Sequence, residues 1–282
     1  MTTFLPGSVA DAVVVLAEHR PDVLAGCTDY MVEVNGRHRR PGDVMSLRRL
    51  ADLRRWSVAA RVLHLGATVT FTELMGQPLA GFVPSLSQAA RTVGSPQIRN
   101  MATIGGNVMT ASPAGDSLAV LVALDAVAVL ASVRGIRRLP VEELLVGPKL
   151  TSANPDELLL RLEIPLRPAR HEFIKVGARN AMVIAVASLA LIVDRDRTRV
   201  CCALGAVGPT VLRATTAEEF YAASSSRRSC GQSPEFVAEF ASLVAAAAQP
   251  IDDHRGTARY RRHCIEVCAR RALQRTLRSG VE

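Results

Sequence analysis

Lysine is almost missing from this chain: among 34 basic residues only Lys149 and Lys175 are lysines, the others being arginines. Aromatic residues are scarce too, at 4%, which argues mildly against a self-contained substrate pocket, since such pockets are commonly aromatic-lined. No window offers the roughly eighteen uncharged apolar residues of a membrane helix; 181–193 is too short and 118–133 is interrupted by Asp125. No membrane insertion is expected. The start has no basic leader, and its apolar run 12–17 lies between Asp11 and Glu18, as in an ordinary amphipathic helix. The six cysteines include no CxxC pair, and a core of this size needs no disulfide staples. Cys201 and Cys202 would point to opposite faces of a strand. Cys264 and Cys268 share a helix face, but no second pair completes a metal site. Free thiols and the lack of a leader favour the cytoplasm.

What is present is enough for one large or two modest domains: 282 residues, 49% apolar and 21% charged. The net charge of +8 raises nucleic-acid binding as a reading, because a basic surface gains from counterion release. Its location argues otherwise. Residues 254–282 carry eight arginines and two glutamates, hence six of the eight excess charges. Arg261, Arg262, Arg270, Arg271, Arg275 and Arg278 decorate a C-terminal amphipathic helix with no aromatic ladder, so a solvated face or subunit contact is expected, with no nucleic acid as partner.

The first half alternates short strands and helices. Ser8 caps a helix to about 18; strands are expected at 23–25, 44–47 and 62–70; helices at 85–92 and 116–124; a hairpin at 126–132 and 136–140. Residues 93–100 read as a polar stretch and 103–107 as a loop. In 157–165, Leu158, Leu160, Leu162 and Ile164 share one face of a half-buried strand. Strands at 172–178, 185–193 and 200–207, turning at 194–198, suggest an antiparallel meander. A polar loop at 224–233 separates helices at 218–223, 234–247 and 257–277. The Pro- and Arg-rich segment 165–170 marks a boundary between the halves.

Two runs of small residues stand out: Leu24-Ala25-Gly26-Cys27-Thr28-Asp29-Tyr30 and Thr103-Ile104-Gly105-Gly106-Asn107. A diphosphate needs backbone N–H groups unobstructed by side chains, and glycine permits that approach. Neither run matches a Walker A or GxGxxG pattern, and each alone is also what an ordinary glycine turn looks like. Asp116 opens a helix, where it could cap or bind a ligand. Lys175 lies between apolar neighbours, either as a surface lysine or as a cation beside a ring or phosphate. The scattered histidines form no Ser/His/Asp or HExxH arrangement, so no catalytic acid or base is assigned.

The run VGSPQIRNMATIGGNVMTASPAGDSLAVLVALDA over 93–126 closely resembles the FAD-binding subunit of the molybdenum hydroxylases, a family that includes bacterial xanthine dehydrogenases and the flavoprotein subunit of aerobic carbon monoxide dehydrogenase. LAGCTDYMVEVNGRHRRPGDVMSL resembles its first glycine loop. NPDELLLRLEIP, FIKVGARNAMVIAVASLAL, ALGAVGPTVLRA and RYRRHCIEVCARRAL resemble later segments in the same order. The resemblance implies an α+β chain: a vanillyl-alcohol-oxidase (PCMH-type) FAD-binding domain over 1–167, with α/β subdomains of about 1–54 and 55–167, then a carbon monoxide dehydrogenase flavoprotein C-terminal-like α+β domain over 168–282. It places FAD against Leu24, Ala25, Gly26, Cys27, Thr28, Asp29 and Tyr30 on one side and Thr103, Ile104, Gly105, Gly106 and Asn107 on the other, with Asp116, Leu159 and Lys175 at the flavin. Cys27 replaces the family's second glycine, which implies weakened binding, and Tyr30 its leucine. The family's Gly-x-Arg-Lys appears as Gly147-Pro148-Lys149-Leu150, which leaves Lys149 without an assigned flavin role. The cysteine-rich insertion of the benzoyl-CoA reductase branch is missing.

The resemblance therefore implies an electron-transfer subunit of a heteromeric oxidoreductase, partnered by a molybdopterin-binding large subunit and a [2Fe-2S] small subunit, and reoxidised by an acceptor such as NAD or a quinone. Two rival readings stand beside it: a stand-alone FAD-dependent oxidoreductase, and a scaffold that has lost FAD through Cys27 and Tyr30. Bulky substitution at Gly105 or Gly106 is expected to release FAD while leaving the fold largely intact.

Overall fold

Three short parallel strands, Thr3–Phe4, Val44–Ser46 and Asp22–Leu24, form the first sheet with Val44–Ser46 at its centre. The computed structural model describes residues 1–196, 198–225 and 233–278, without the side chains of Ser225 and Arg278. Most of the expected polar loop at 224–233, with Cys230, lies outside the described residues, as do residue 197 of the expected turn and the Arg278 side chain. The helix Val9–His19 starts at Ser8, whose hydroxyl accepts from the Asp11 N–H. Its Ala12 and Leu16 pack with Met45, Leu47, Leu50 and Leu53 in a small core that reaches the second sheet through Ala131 and Leu158.

The second sheet is antiparallel, in the order Trp56–Ala59, Val62–Gly66, Leu158–Pro165, Val127–Ser132, Gly135–Pro140. Its central strand departs from simple alternation. The ladder with Val127–Ser132 skips between Leu159 and Arg161, so Leu158 and Leu159 are both buried while Leu160 is only half-buried. A bulge of this kind re-aims consecutive side chains. The freed Leu160 carbonyl accepts from the Ala67 N–H at 2.9 Å, which ties the strand to the segment beneath the second glycine run.

The expected meander is present as a third sheet, Ala169–Val176, Ala187–Asp194, Val200–Gly205 and Leu212–Arg213. Leu189, Leu191, Val193, Cys202 and Leu204 face the helices Pro234–Ala246 and Ala258–Arg278. Ala190, Ile192, Cys201 and Ala203 face the larger core, which also contains residues of the helices Pro84–Thr92 and Asp116–Ala123. The two-residue period thus sends adjacent cysteines to different cores. Asp125, the charge that interrupts an apolar run, has φ +53 and accepts from Arg167, Arg199 and Arg213 at 2.8–2.9 Å, joining this sheet to the end of the buried helix.

Two segments read as irregular are helical. Residues 93–100 contain most of the helix Pro96–Met101, begun by the Ser95 side chain and by proline at the first turn. The expected loop at 103–107 is the opening of the helix Ile104–Thr110, where the Thr103 hydroxyl accepts from the Gly106 N–H. Glycine disfavours helix by about 1 kcal/mol, but here a cap and the burial of Ile104, Gly105 and Val108 outweigh that cost.

Candidate cofactor site

A cavity of about 630 Å³ opens between the two glycine runs, within the range of about 300–1,000 Å³ usual for small-molecule sites. Leu24, Ala25, Gly26, Cys27, Thr28, Asp29 and Tyr30 all line it, as do Thr103, Gly105, Gly106 and Asn107 from the second run and Asp116, Leu159 and Lys175 from the far wall. Ile104 is the exception. It is fully buried and turned into the core, so the apolar residue of the TIGGN motif anchors the helix and leaves the cavity wall to its neighbours.

Close backbone approach brings the runs together. A Cβ on Gly26 would collide with the Met101 carbonyl oxygen and lie 3.0 Å from the Ala102 Cα, so glycine is required where the first run crosses the entrance to the second. Gly105 is tight for another reason: a Cβ there would be 2.6 Å from both the Cβ and the carbonyl oxygen of Ala67. This corrects the expectation that a bulky Gly105 substitution would spare the fold. Gly106 differs, because an added Cβ would meet only the Thr103 hydroxyl that caps this helix, at 2.9 Å.

Backbone donors are unevenly spent. The N–H groups of Ile104, Gly105, Gly106 and Asn107 bond to Val69 O, Ala67 O, Thr103 Oγ1 and Thr103 O. Those of Cys27, Thr28 and Asp29 have no acceptor among the described residues. Cys27 adopts φ +60, a left-handed conformation of the kind that anion-binding backbone concavities use. Burial raises the Cys27 thiol above its ordinary pKa, so it stays neutral. Tyr30, in place of the family's leucine, anchors the next helix to the sheet. Its hydroxyl donates to Asp22 at 3.2 Å, and Arg39 sits 5.2 Å above its ring while ion-pairing with Asp22.

The opposite wall holds a buried ion pair. Lys175 Nζ donates to Asp116 Oδ2 at 2.6 Å and to the Thr92 carbonyl at 3.2 Å, and the Thr92 hydroxyl donates to the same carboxylate oxygen at 3.1 Å. The Lys175 side chain is 7% exposed, so it is not a snorkelling surface lysine. Asp116 does not cap its helix, since that position is Gly115. Burial raises the carboxyl pKa of Asp116, opposed by Lys175 and Thr92, and its second oxygen, Oδ1, is buried without a partner among the described residues. A buried unpaired acceptor is costly, and this one belongs to a residue of the cavity wall.

The wall also includes Glu33, Arg39, Lys149, Val183 and Ile184, none of which was assigned a cofactor role from sequence. Lys149 pairs with Glu33 at 2.5 Å, and this bond holds the Glu33 carboxyl below its usual range. These partners are separated by 116 residues, and no local pattern reveals them. Val183 and Ile184 lie between strands, where periodicity carries no signal. Cys264 and Cys268 are buried in the helical layer, and burial pushes the Cys268 thiol up to about 11. Among the described residues, no three His, Cys, Asp or Glu side chains cluster as a metal site, and no helix is long and apolar enough to cross a membrane.

FAD fits these surroundings chemically. Its diphosphate suits the unspent N–H groups of Cys27–Asp29, and its ring imide N–H suits the unpartnered oxygen of Asp116, with Lys175 available to a ring carbonyl. Residues 1–167 match the family model described as the FAD binding domain in molybdopterin dehydrogenase, and 172–276 match the CO dehydrogenase flavoprotein C-terminal domain. The nicotinate dehydrogenase FAD-subunit of Eubacterium barkeri is 35% identical over 208 residues, 70% of each chain. The carbon monoxide dehydrogenase medium chain of Afipia carboxidovorans is 28% identical over 276 residues, 96% of this chain and 94% of that one. A chain in the solved carbon monoxide dehydrogenase of Hydrogenophaga pseudoflava superposes with a TM-score of 0.91 at 25% identity, covering 98% of this chain and 97% of its own. The architecture is therefore the PCMH-type FAD-binding fold followed by a C-terminal α+β layer.

Proposed function

The chain belongs to the FAD-binding family of molybdopterin dehydrogenases, and from that premise we propose that it carries FAD between its two glycine runs as the electron-transfer subunit of a heteromeric molybdenum hydroxylase. A molybdopterin-binding large subunit oxidises the substrate, a [2Fe-2S] small subunit relays the electrons, and an acceptor such as NAD or a quinone takes them from this subunit. The complex works in the cytoplasm, where free thiols persist. Residues 1–167 are assigned to the FAD-binding domain and 168–282 to the C-terminal domain.

The observation that carries this reading is one cavity with unspent backbone donors on one wall and a buried Asp116–Lys175 pair on another. FAD supplies, when bound, the redox chemistry that side chains lack. The chain's work is to hold and tune it. Cys27, Thr28 and Asp29 offer N–H groups to a diphosphate. Asp116 Oδ1 would accept from the ring of bound FAD, and Lys175 favours the charged form of that carboxylate against the effect of burial while adding positive potential near it. Leu159, buried at the bulge, closes the apolar side. No residue needs to move a proton as acid or base. His171, the histidine most strongly shifted by burial, bonds Ser85 at 3.0 Å and is not part of the cavity wall.

The test is to purify the chain alone and with the products of neighbouring genes, then record visible spectra and extract the cofactor. Stoichiometric FAD, with substrate turnover only in the assembled complex, is expected. A colourless chain that takes up no added FAD would sink the reading, and turnover by the isolated chain would replace it with a stand-alone oxidoreductase.

A further inference from the structure

Arg261 is a charged side chain sealed inside the protein, 3% exposed on the inner face of the helix Ala258–Arg278. Burying a guanidinium costs several kcal/mol unless its surroundings compensate, and an apolar residue of similar size often packs as well or better. Arg261 is only partly compensated. It ion-pairs with Asp253, its Nη1 donates to the Ala206 carbonyl at 2.8 Å, and its Nε has no partner among the described residues. Asp253 is itself fixed by Arg255, whose backbone N–H and Nε donate to it at 2.8 and 3.1 Å.

The far end of this arrangement explains the expense. Ala206 follows the strand Val200–Gly205 with φ +62, a left-handed conformation that a residue with a Cβ adopts only at a cost. Both of its backbone groups are held: Arg261 binds its carbonyl, and its N–H, in the preceding peptide, donates to the Pro113 carbonyl at 2.7 Å. Pro113 belongs to the turn 111–116, of which Ser112, Ala114, Gly115 and Asp116 line the cavity. The strand end lies directly against this turn, since a Cβ on Gly205 would be 3.6 Å from the Pro113 carbonyl oxygen and 3.7 Å from the Ala119 Cβ. Neither Arg261 nor Asp253 lines the cavity.

We propose that Arg261 is a positioning residue for the cofactor wall: by clamping the backbone at Ala206 it fixes the turn that carries Asp116, and so sets how the Asp116 carboxylate meets the flavin. The inference rests on the reading that this cavity takes FAD. It assigns the C-terminal helical layer a role in cofactor tuning in addition to covering the third sheet.

The experiment uses the full-length chain loaded with FAD and compares wild type, Arg261→Met, Arg261→Lys and Phe240→Leu. The last trims a fully buried side chain of the same layer that makes no bond to Ala206. Thermal midpoint, FAD dissociation constant, visible circular dichroism of bound flavin and flavin midpoint potential are measured for each. Arg261→Met is expected to weaken FAD binding about tenfold and to shift both the dichroism and the potential. Arg261→Lys, still able to donate to the Ala206 carbonyl, recovers most of both. Phe240→Leu lowers the thermal midpoint without moving either flavin signature. Arg261→Met with wild-type FAD affinity, dichroism and potential overturns the proposal. Should Arg261→Met fail to fold, Asp253→Asn loosens the same guanidinium and carries the same expectation at smaller size; unchanged flavin signatures there overturn it equally. A wild-type chain that binds no FAD overturns the cavity reading and the relay together, whereas equal binding and tuning in wild type and variants overturns the relay alone.

Discussion

In the first glycine run the N–H groups of Cys27, Thr28 and Asp29 are left to water or a ligand, whereas in the second run every N–H from Ile104 to Asn107 is spent on Val69, Ala67 or Thr103. Both runs wall one cavity, yet they are built for different work. The first has its left-handed turn at Cys27 and an exposed helix behind it. The second is the opening of a helix seated on Ala67. Similar glycine-rich sequences can thus supply either donors or a rigid floor, and only the destination of each N–H distinguishes them.

The most forceful way to break this contrast is Gly105→Val. Its side chain would be driven into Ala67, so overpacking at the upper end of the usual range, about 3 kcal/mol, is expected. Chemical denaturation of the FAD-free chain measures it. Stability equal to wild type would show the second run to be pliable and the contrast false.

A pH route loads the fold without touching either run. Burial, with Arg167 nearby, depresses the pKa of His171 from 6.5 to about 4. The unfolded chain takes up this proton below 6.5 and the folded chain only near 4, so stability is full above pH 6.5 and falls as pH drops toward 4. The loss is up to about 3 kcal/mol. Denaturation midpoints between pH 7 and 4 should show this slope in wild type and lose it in His171→Gln, which can keep the bond to Ser85. If FAD affinity is lost well before stability over this window, the acid-sensitive group lies on the cofactor wall, where burial already raises the pKa of Asp116.

Gly106→Ala sharpens the comparison within the second run. The new methyl group crowds only the Thr103 hydroxyl that caps this helix, and alanine's better helix propensity offsets that loss, so thermal stability should change little. Facing the cavity, the same methyl group should weaken FAD binding about tenfold. Isothermal titration beside a melting curve decides it. A fall in melting temperature with affinity intact would reverse the roles given to Gly105 and Gly106.

Much of this was legible in sequence, for reasons that differ by region. The third sheet announced itself through its two-residue period, and adjacent Cys201 and Cys202 entered separate cores as that period requires. Motif order pointed to both glycine runs and to Asp116, Leu159 and Lys175, all on the cavity wall except Ile104, but to little of the rest of that wall. What stayed hidden depends on tertiary compensation: a helix through Gly105 and Gly106 made affordable by a cap and by burial, a bulge that brings Leu159 inward, and the Lys149–Glu33 pair joining segments far apart in sequence. Buried residues of the helix Asp116–Ala123 lie on every side, so amphipathicity could not show which side meets the cofactor.

The smallest effect concerns Cys27, where this chain departs from the family's glycine. At φ +60 a side chain costs about 1 kcal/mol that glycine does not incur, and the thiol stands on the cavity wall beside the unspent donors. Glycine also loses more conformational freedom on folding, by a similar amount, so Cys27→Gly should leave stability nearly unchanged. Its gain should appear in FAD affinity, about fivefold, because removing the side chain lets the ligand approach the N–H groups of Cys27 and Thr28. Cys27→Val, branched at a left-handed residue, should move affinity the other way. The thiol's raised pKa adds a second check: a thiolate beside a diphosphate would repel it, so wild-type affinity should stay flat through pH 9 and fall only above it, while Cys27→Gly shows no such fall. Identical affinities for cysteine, glycine and valine at this position would mean that the first run does not present its donors to the ligand, and the contrast between the two runs would fail on its open side.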